Sequence, residues 1–358
     1  MELEELGWGA SLEPSMEPFR DRGLIPGRVV REDRNTCLVS CAEGEVTAEV
    51  AGRLRHQAEE RSDLPIVGDW VALDARPGEG RGTIHAVLPR SSRFARNAAG
   101  RRTEVQVLAA NIDTVFLVTG LDGNFNLRRI ERYLTLGWSS GASPVVLLNK
   151  TDLCPNVEDR VAEVESIAIG VPVHAVSAAE NEGLEALRRY IGRGRTVALL
   201  GSSGVGKSSI ANRLLGYERQ KVVAVREGDS RGRHTTVSRE LIVLPGGGVL
   251  IDTPGMRELQ LWSETEGGEN ETFSDIEALQ GRCRFGDCGH KTEPGCAIRD
   301  AVEEGSLDAG RLRSYLKLQR ELRRVERRHA HRLRRAASRR AKGARAGRRY
   351  RSGYTEED

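Results

Sequence analysis

LLNKTDL, residues 147–153, and GSSGVGKSS, residues 201–209, are the two stretches on which the fold turns. Each is the polar exit of an apolar run, the pattern of a buried strand that ends at a loop. Working outward, the same pattern recurs in DTVFLVTG (113–120), SPVVLLNK (143–150), GVPVHAVS (170–177), RTVALLG (195–201), RELIVLP (239–245) and GVLIDT (248–253). Helical segments are expected at about 127–138, 157–169 and 183–191, with another after Lys207. Near-continuous apolar strands alternating with helices imply an α/β domain with a mostly parallel sheet covered on both faces. RELIVLPGGGVLIDT reads as a hairpin turning at 246–248, which adds one antiparallel edge strand.

GSSGVGKS fits the phosphate-loop form G-x-x-x-x-G-K-[ST], between an apolar strand and a helical run. Gly201, Gly204 and Gly206 let the backbone fold round an anion; Ser202, Ser203, Val205 and Ser209 complete the loop and the first helical turn. Successive N–H groups and the helix N-terminus then face phosphate oxygens. Lys207 is expected on the β- and γ-phosphates and Ser208 on Mg²⁺. About fifty residues later, VLIDTPG (249–255) puts Asp252 at a strand exit, placed to hold Mg²⁺ through water, with Gly255 placed to offer its N–H to a γ-phosphate. Between them, EGDSRGRHTTVSREL (227–241) has no apolar periodicity and reads as a switch loop. Thr235 or Thr236 would complete the Mg²⁺ shell there; an ordinary strand start is the competing reading.

In LLNKTDL, Asp152 can accept hydrogen bonds from the N1–H and N2 edge of guanine, an edge adenine lacks. Asn149 would bridge base and loop, and the Lys150 stem would cover the ring. VPVHAVSA (171–178) ends a strand in Ser177 and Ala178, whose backbone can donate to guanine O6. Here the base motif precedes the phosphate loop by about fifty residues, whereas an ordinary small GTPase has the opposite order. Such a pocket needs strand ends adjacent in space, not in sequence. The order therefore implies a circular permutation.

The remaining chain frames this domain. Residues 1–23 show no clear periodicity and contain Pro14 and Pro18, so they are expected to be a loose extension. Residues 24–90 hold five short strand-like runs separated by turn signals, as in a small β-barrel, with the OB-fold the leading candidate. RSSRFARNAAGRR (90–102) is basic, and residues 91–104 read as a linker. The permuted domain is set at 105–265. Residues 266–335 hold a cysteine cluster and a helix striped by Leu312, Leu316, Leu318, Leu322 and Val325; residues 336–358 read as a basic, disordered tail.

The 358 residues carry a net charge of +3, but Arg311–Arg351 holds 18 Lys/Arg against two Glu, which leaves residues 1–310 at about −10. An acidic body with a basic tail suggests a polyanionic partner, nucleic acid foremost; a solvated Arg-rich helix is the alternative. Six Lys stand against 49 Arg, yet Lys150 and Lys207 both fall in motifs that need a slim ammonium. No apolar run reaches the roughly 18 residues of a membrane span, and the acidic start lacks a signal pattern, so a cytoplasmic protein is expected; it is also expected to be a monomer.

Taken together, PIVGDWV (65–71), NKTDL, GSSGVGKSS, GRHTT (232–236), LPGGGVLIDTPGMREL (244–259) and the cysteine cluster resemble the bacterial circularly permuted GTPases called ribosome small-subunit-dependent GTPase A. The resemblance covers nearly all of 24–330. It implies an N-terminal OB-fold, a permuted P-loop GTPase domain and a C-terminal zinc-binding α-helical domain. It also implies GTP hydrolysis to GDP, stimulated by the small ribosomal subunit and its rRNA, late in maturation of that subunit. Cys283, Cys288, His290 and Cys296 match the family's zinc pattern, and three thiolates with one imidazole suit a closed structural Zn²⁺ site. Buried free thiols are the alternative; Cys37, Cys41 and Cys154 read as ordinary thiols. The residue after DTPG is Met256, which cannot orient water, so His234 is the candidate for that task. Two rival readings are a P-loop ATPase or kinase with a coincidental Asn-Lys-Thr-Asp, and a non-catalytic GTP-binding RNA scaffold.

Overall fold

The computed structural model describes residues 2–33, 35–97, 105–217, 239–252, 268–324, 327, 330, 331 and 334. The predicted tail at 336–358 and most of the switch loop lie outside these residues.

Five strands form the barrel: β1 (Ile25–Glu32), β2 (Thr36–Cys41), β3 (Gly44–Val50), β4 (Trp70–Arg76) and β5 (Arg81–Val87). They run β1-β2-β3-β5-β4 and close through β1–β4, with β3–β5 the parallel pair, which is the OB-fold order. A short helix, α2 (Gly52–Gln57), stands between β3 and β4. Alternating inward residues fill the barrel: Val29, Val39, Val46, Val71, Leu73 and Ile84, with Cys37 and Cys41 buried among them.

The second sheet contains β8 (Thr114–Gly120), β9 (Ser143–Asn149), β10 (Val173–Val176), β11 (Thr196–Leu200), β12 (Glu240–Val243) and β13 (Val249–Asp252). Its order is β10-β9-β8-β11-β13-β12, parallel except for the predicted β12–β13 hairpin. Its central strands are buried on both faces: Phe116, Val118 and Leu147 pack on one side, and Val115, Leu117, Val146 and Leu148 on the other. Helices α3 (Leu127–Ser139), α4 (Val157–Glu165) and α5 (Lys207–Leu215) cover it, while the helix expected at 183–191 is a 3₁₀ segment, Leu184–Tyr190. The C-terminal part is helical: α6 (Gly268–Thr272), α7 (Ser274–Gln280), α8 (Ala297–Glu303) and α9 over 309–324.

Two expectations are corrected. The extension expected at 1–23 is not loose over its described residues, 2–23: Leu3–Leu6 form a 3₁₀ turn and α1 spans Glu13–Arg20. Pro14 sits in the first turn of α1, where a missing N–H costs nothing. Leu3, Leu6, Trp8 and Met16 are buried, and Trp8 meets Trp70 edge-on at 5.0 Å. Nor is 91–104 a linker throughout. β6 (Arg93–Asn97) pairs antiparallel with β7 (Val105–Ala110), and Phe94 is buried.

Three joints unite the parts. At the first, buried Asp69 accepts from Arg90 Nε (2.7 Å) and Nη2 (2.8 Å), and Asn111 donates to Gly68 O at 3.0 Å. Gly68 has φ +88°, and a Cβ there would collide with Ala110 O. Buried Arg28 donates to Leu6 O and Asn111 O and lies over the Trp70 ring. PIVGDWV is therefore the seam between barrel and sheet. At the second joint, β1 pairs with β12 at Arg31↔Glu240, supported by Arg239–Glu32 at 3.3 Å. At the third, α3 meets the C-terminal helices through Arg311, whose Nη1 contacts buried Glu131 (3.1 Å) while Nε and Nη2 grip Asp275 at 2.7 Å each. Arg311, counted above in the basic tail, is thus a buried structural residue.

Candidate nucleotide site and metal centre

The ends of β9, β10 and β11 bring the base motif, the Ser-Ala turn and the phosphate loop to one edge of the sheet. Asn149 is the hub. Its side chain is 2% exposed; Nδ2 donates to Val205 O (2.8 Å) and Oδ1 accepts from Ala178 N–H (3.0 Å). One amide thus ties the phosphate loop to the base-reading turn across 56 and 29 residues of sequence. Gly206 has φ +95°, and a Cβ there would collide with the Asn149 amide, so the loop reaches its hub only with glycine.

Ser177 is fully buried. Its Oγ donates to Asp152 Oδ1 at 2.5 Å and accepts from Glu180 N–H at 3.1 Å, while its backbone exchanges bonds with Glu182. Asp152 itself is exposed, with its carboxylate steadied and open to solvent. Lys150 has φ +70° and pairs with Asp122 at 2.5 Å. Arg213 on α5 donates to Ala178 O (3.0 Å) and Ala179 O (2.7 Å), bracing the turn from the phosphate-loop helix.

The phosphate loop runs from Gly201 to the first turn of α5. Val205 is buried in the sheet core, Ser203 is exposed, and Ser202, Gly204, Ser208 and Ser209 are half-buried. Lys207 Nζ donates to Gly201 O (2.7 Å) and Ser202 O (2.6 Å), so its ammonium lies within the loop. Arg129 on α3 donates to Ser202 Oγ at 3.3 Å from behind. Asp252 is the last residue of β13, which lies parallel to β11, so its backbone is at the phosphate-loop end of the sheet. Gly255, His234, Thr235, Thr236 and Met256 lie outside the described residues.

The cysteine cluster forms a second centre. The ligand atoms of Cys283, Cys288, His290 and Cys296 all lie within 4.8 Å of one another. His290 Nδ1 is 3.7 Å from Cys283 Sγ and 3.5 Å from Cys296 Sγ. Three sulfurs and one imidazole nitrogen drawn to one point fit tetrahedral Zn²⁺. Burial and the neighbouring Cys296 push the Cys288 thiol up to about 11, which a dication would reverse. His290 takes φ +57°, held by Glu293, whose carboxylate accepts from the N–H groups of Gly289, Lys291 and Thr292. Those backbone bonds hold the Glu293 carboxyl down at about 2.

Sequence reasoning missed Asp122, Arg129, Arg213 and Glu293. Glu293 alone had a local signal, as an acid beside ligand spacing; the others act across the fold.

Comparison with known proteins places this geometry. The family described as RsgA GTPase matches residues 87–262. A protein of Opitutus terrae named "Small ribosomal subunit biogenesis GTPase RsgA" is 51% identical over 329 residues, covering 90% of each chain. Its namesake in Syntrophotalea carbinolica is 46% identical over the same shares. The crystal structure of YjeQ from Thermotoga maritima superposes with a TM-score of 0.62 at 28% identity, covering 84% of this chain and 98% of that one. The crystal structure of YloQ, a circularly permuted GTPase, superposes with a TM-score of 0.60 at 23% identity over 84% of this chain and 95% of that one.

Proposed function

The chain belongs to the RsgA GTPase family, and from that premise we propose that it binds GTP at the ends of β9, β10 and β11, hydrolyses it to GDP in response to the small ribosomal subunit, and acts late in that subunit's maturation. The observation that carries the reading is the Asn149 hub, which makes base recognition and phosphate binding parts of one buried construction. Asp152 accepts from the guanine N1–H and N2 edge, and the Ser177–Ala178 backbone donates to O6. The phosphate-loop amides and Lys207 bind the β- and γ-phosphates. Ser208 and, through water, Asp252 would hold Mg²⁺, which when bound neutralises charge on those phosphates. Thr235 or Thr236 completes that shell, Gly255 reports the γ-phosphate, and His234 orients the attacking water in place of Met256.

The zinc centre has a structural part in this reading. Four protein ligands leave no open position for catalysis, so Cys283, Cys288, His290 and Cys296 hold the loop between α7 and α8. The GTP form binds the subunit and the GDP form releases it. With 4% aromatic residues, rRNA binding leans on phosphates and RNA shape, and it weakens steeply with salt.

Two measurements test the proposal. Competition binding should show GTP and GDP displacing a labelled guanine nucleotide while ATP does not; ATP preference would defeat it. A single-turnover GTP assay should accelerate on adding small subunits, whereas a scaffold that only holds GTP would show no such rise.

A further inference from the structure

Lys150 is held at both its backbone and its ammonium. Its backbone is left-handed at φ +70°, and its ammonium is 2.5 Å from Asp122 Oδ2, with both side chains 22% exposed. Asp122 is itself fixed. Its Oδ1 accepts from Asn124 N–H at 2.9 Å, and the neighbouring Leu121 N–H donates to Asn149 O at 2.7 Å. The turn after β8 is therefore bonded to the base motif at both backbone and side chain. The pocket's other acid, Asp152, is engaged by Ser177.

We propose that Asp122 is a positioning residue for guanine-nucleotide binding: its carboxylate anchors the end of Lys150, so that the lysine stem is set beside the base-reading turn before nucleotide arrives. This rests on the reading above that Lys150 covers the base. A lysine has a long flexible stem, and ordering it on binding weakens affinity. An anchored stem avoids that loss. The two acids then divide the work, with Asp152 choosing the base and Asp122 orienting the residue that covers it. Because the base is common to both nucleotides, GTP and GDP should feel Asp122 equally.

The test is calorimetric binding of GDP and of a non-hydrolysable GTP analogue to the full chain. Four forms are compared: wild type, Asp122→Asn, Lys150→Met and the double variant. Asn keeps the oxygen that accepts from Asn124 N–H and removes only the charge, so the turn survives, and unchanged melting checks this. Asp122→Asn should weaken both nucleotides by the same factor, about three- to tenfold. In the Lys150→Met background the same change should have no further effect. Wild-type GDP affinity in Asp122→Asn, or an undiminished loss in the Lys150→Met background, overturns the proposal. Failure of the wild type to bind GDP would instead overturn the guanine reading and this inference with it.

Discussion

Asn149 shows how much of the site depends on one side chain. Replacing it by Ala would leave Val205 O and Ala178 N–H without their side-chain partner, at roughly 1–3 kcal/mol for each buried group left unsatisfied. Asn149→Ala is therefore expected to lower unfolding stability by about 2–6 kcal/mol in urea titration and to weaken GTP and GDP together. His234 makes a different prediction, because its proposed task exists only during hydrolysis. His234→Ala should lower subunit-stimulated turnover while GTP affinity stays nearly constant. Equal stimulated rates in mutant and wild type would remove it from the mechanism. Asn149, Asp152 and the phosphate loop were legible as residues because their chemistry is written in local spacing. Asp122 was not, since its partner is 28 residues away and the pairing depends on β8 and β9 lying side by side.

Among the elements, the central strands of the second sheet were legible because burial on both faces demands continuous apolar runs. β6 was hidden: Arg93-Phe94-Ala95-Arg96-Asn97 has one large apolar residue, and pairing with β7 decides its state. The N-terminal segment was hidden too, because Leu3, Leu6, Trp8 and Met16 follow no single period and pack on surfaces made elsewhere. α3 is the most burdened helix. Near its start, Arg129 touches the phosphate loop through Ser202; along it, Arg128 and Glu131 meet the C-terminal helices at Asp308 and Arg311. Glu131 is fully buried with Oε2 unpartnered, and its Oε1 is shared by Arg128 (2.6 Å) and Arg311 (3.1 Å), so removing the buried Arg311 would leave only the half-exposed Arg128 to balance it. Arg311→Met is expected to destabilise by about 3 kcal/mol, with Glu131→Gln recovering part of the loss in the double variant. Denaturant unfolding of the three variants measures both effects; additivity of the single losses would show that the pair is not coupled.

For the whole molecule, the N-terminal segment is a third participant in the seam between barrel and sheet. Arg28 donates to Leu6 O, Trp8 stands against Trp70, and Glu2 pairs with Arg193 just before β11. Deleting residues 2–20 would strip one hydrogen bond from a buried guanidinium and uncover Trp70. The expected result is a clear fall in thermal midpoint, partly offset by GDP, because nucleotide binds only the folded chain. A midpoint equal to that of the full chain would show the segment to be an ornament.

The pairing of β1 with β12 has a consequence beyond joining two parts. β12 is the last strand of the nucleotide-binding sheet, and strands in that position expose unpaired backbone groups that recruit other chains. β1 of the barrel meets that edge at Arg31↔Glu240, so it stops the sheet at the start of β12. A boundary drawn at residue 105 looks clean in the sequence, yet a chain begun there would leave the outer edge of β12 without β1. A chain begun at residue 105 is therefore expected to self-associate more readily than the full chain, which sedimentation of the two would measure.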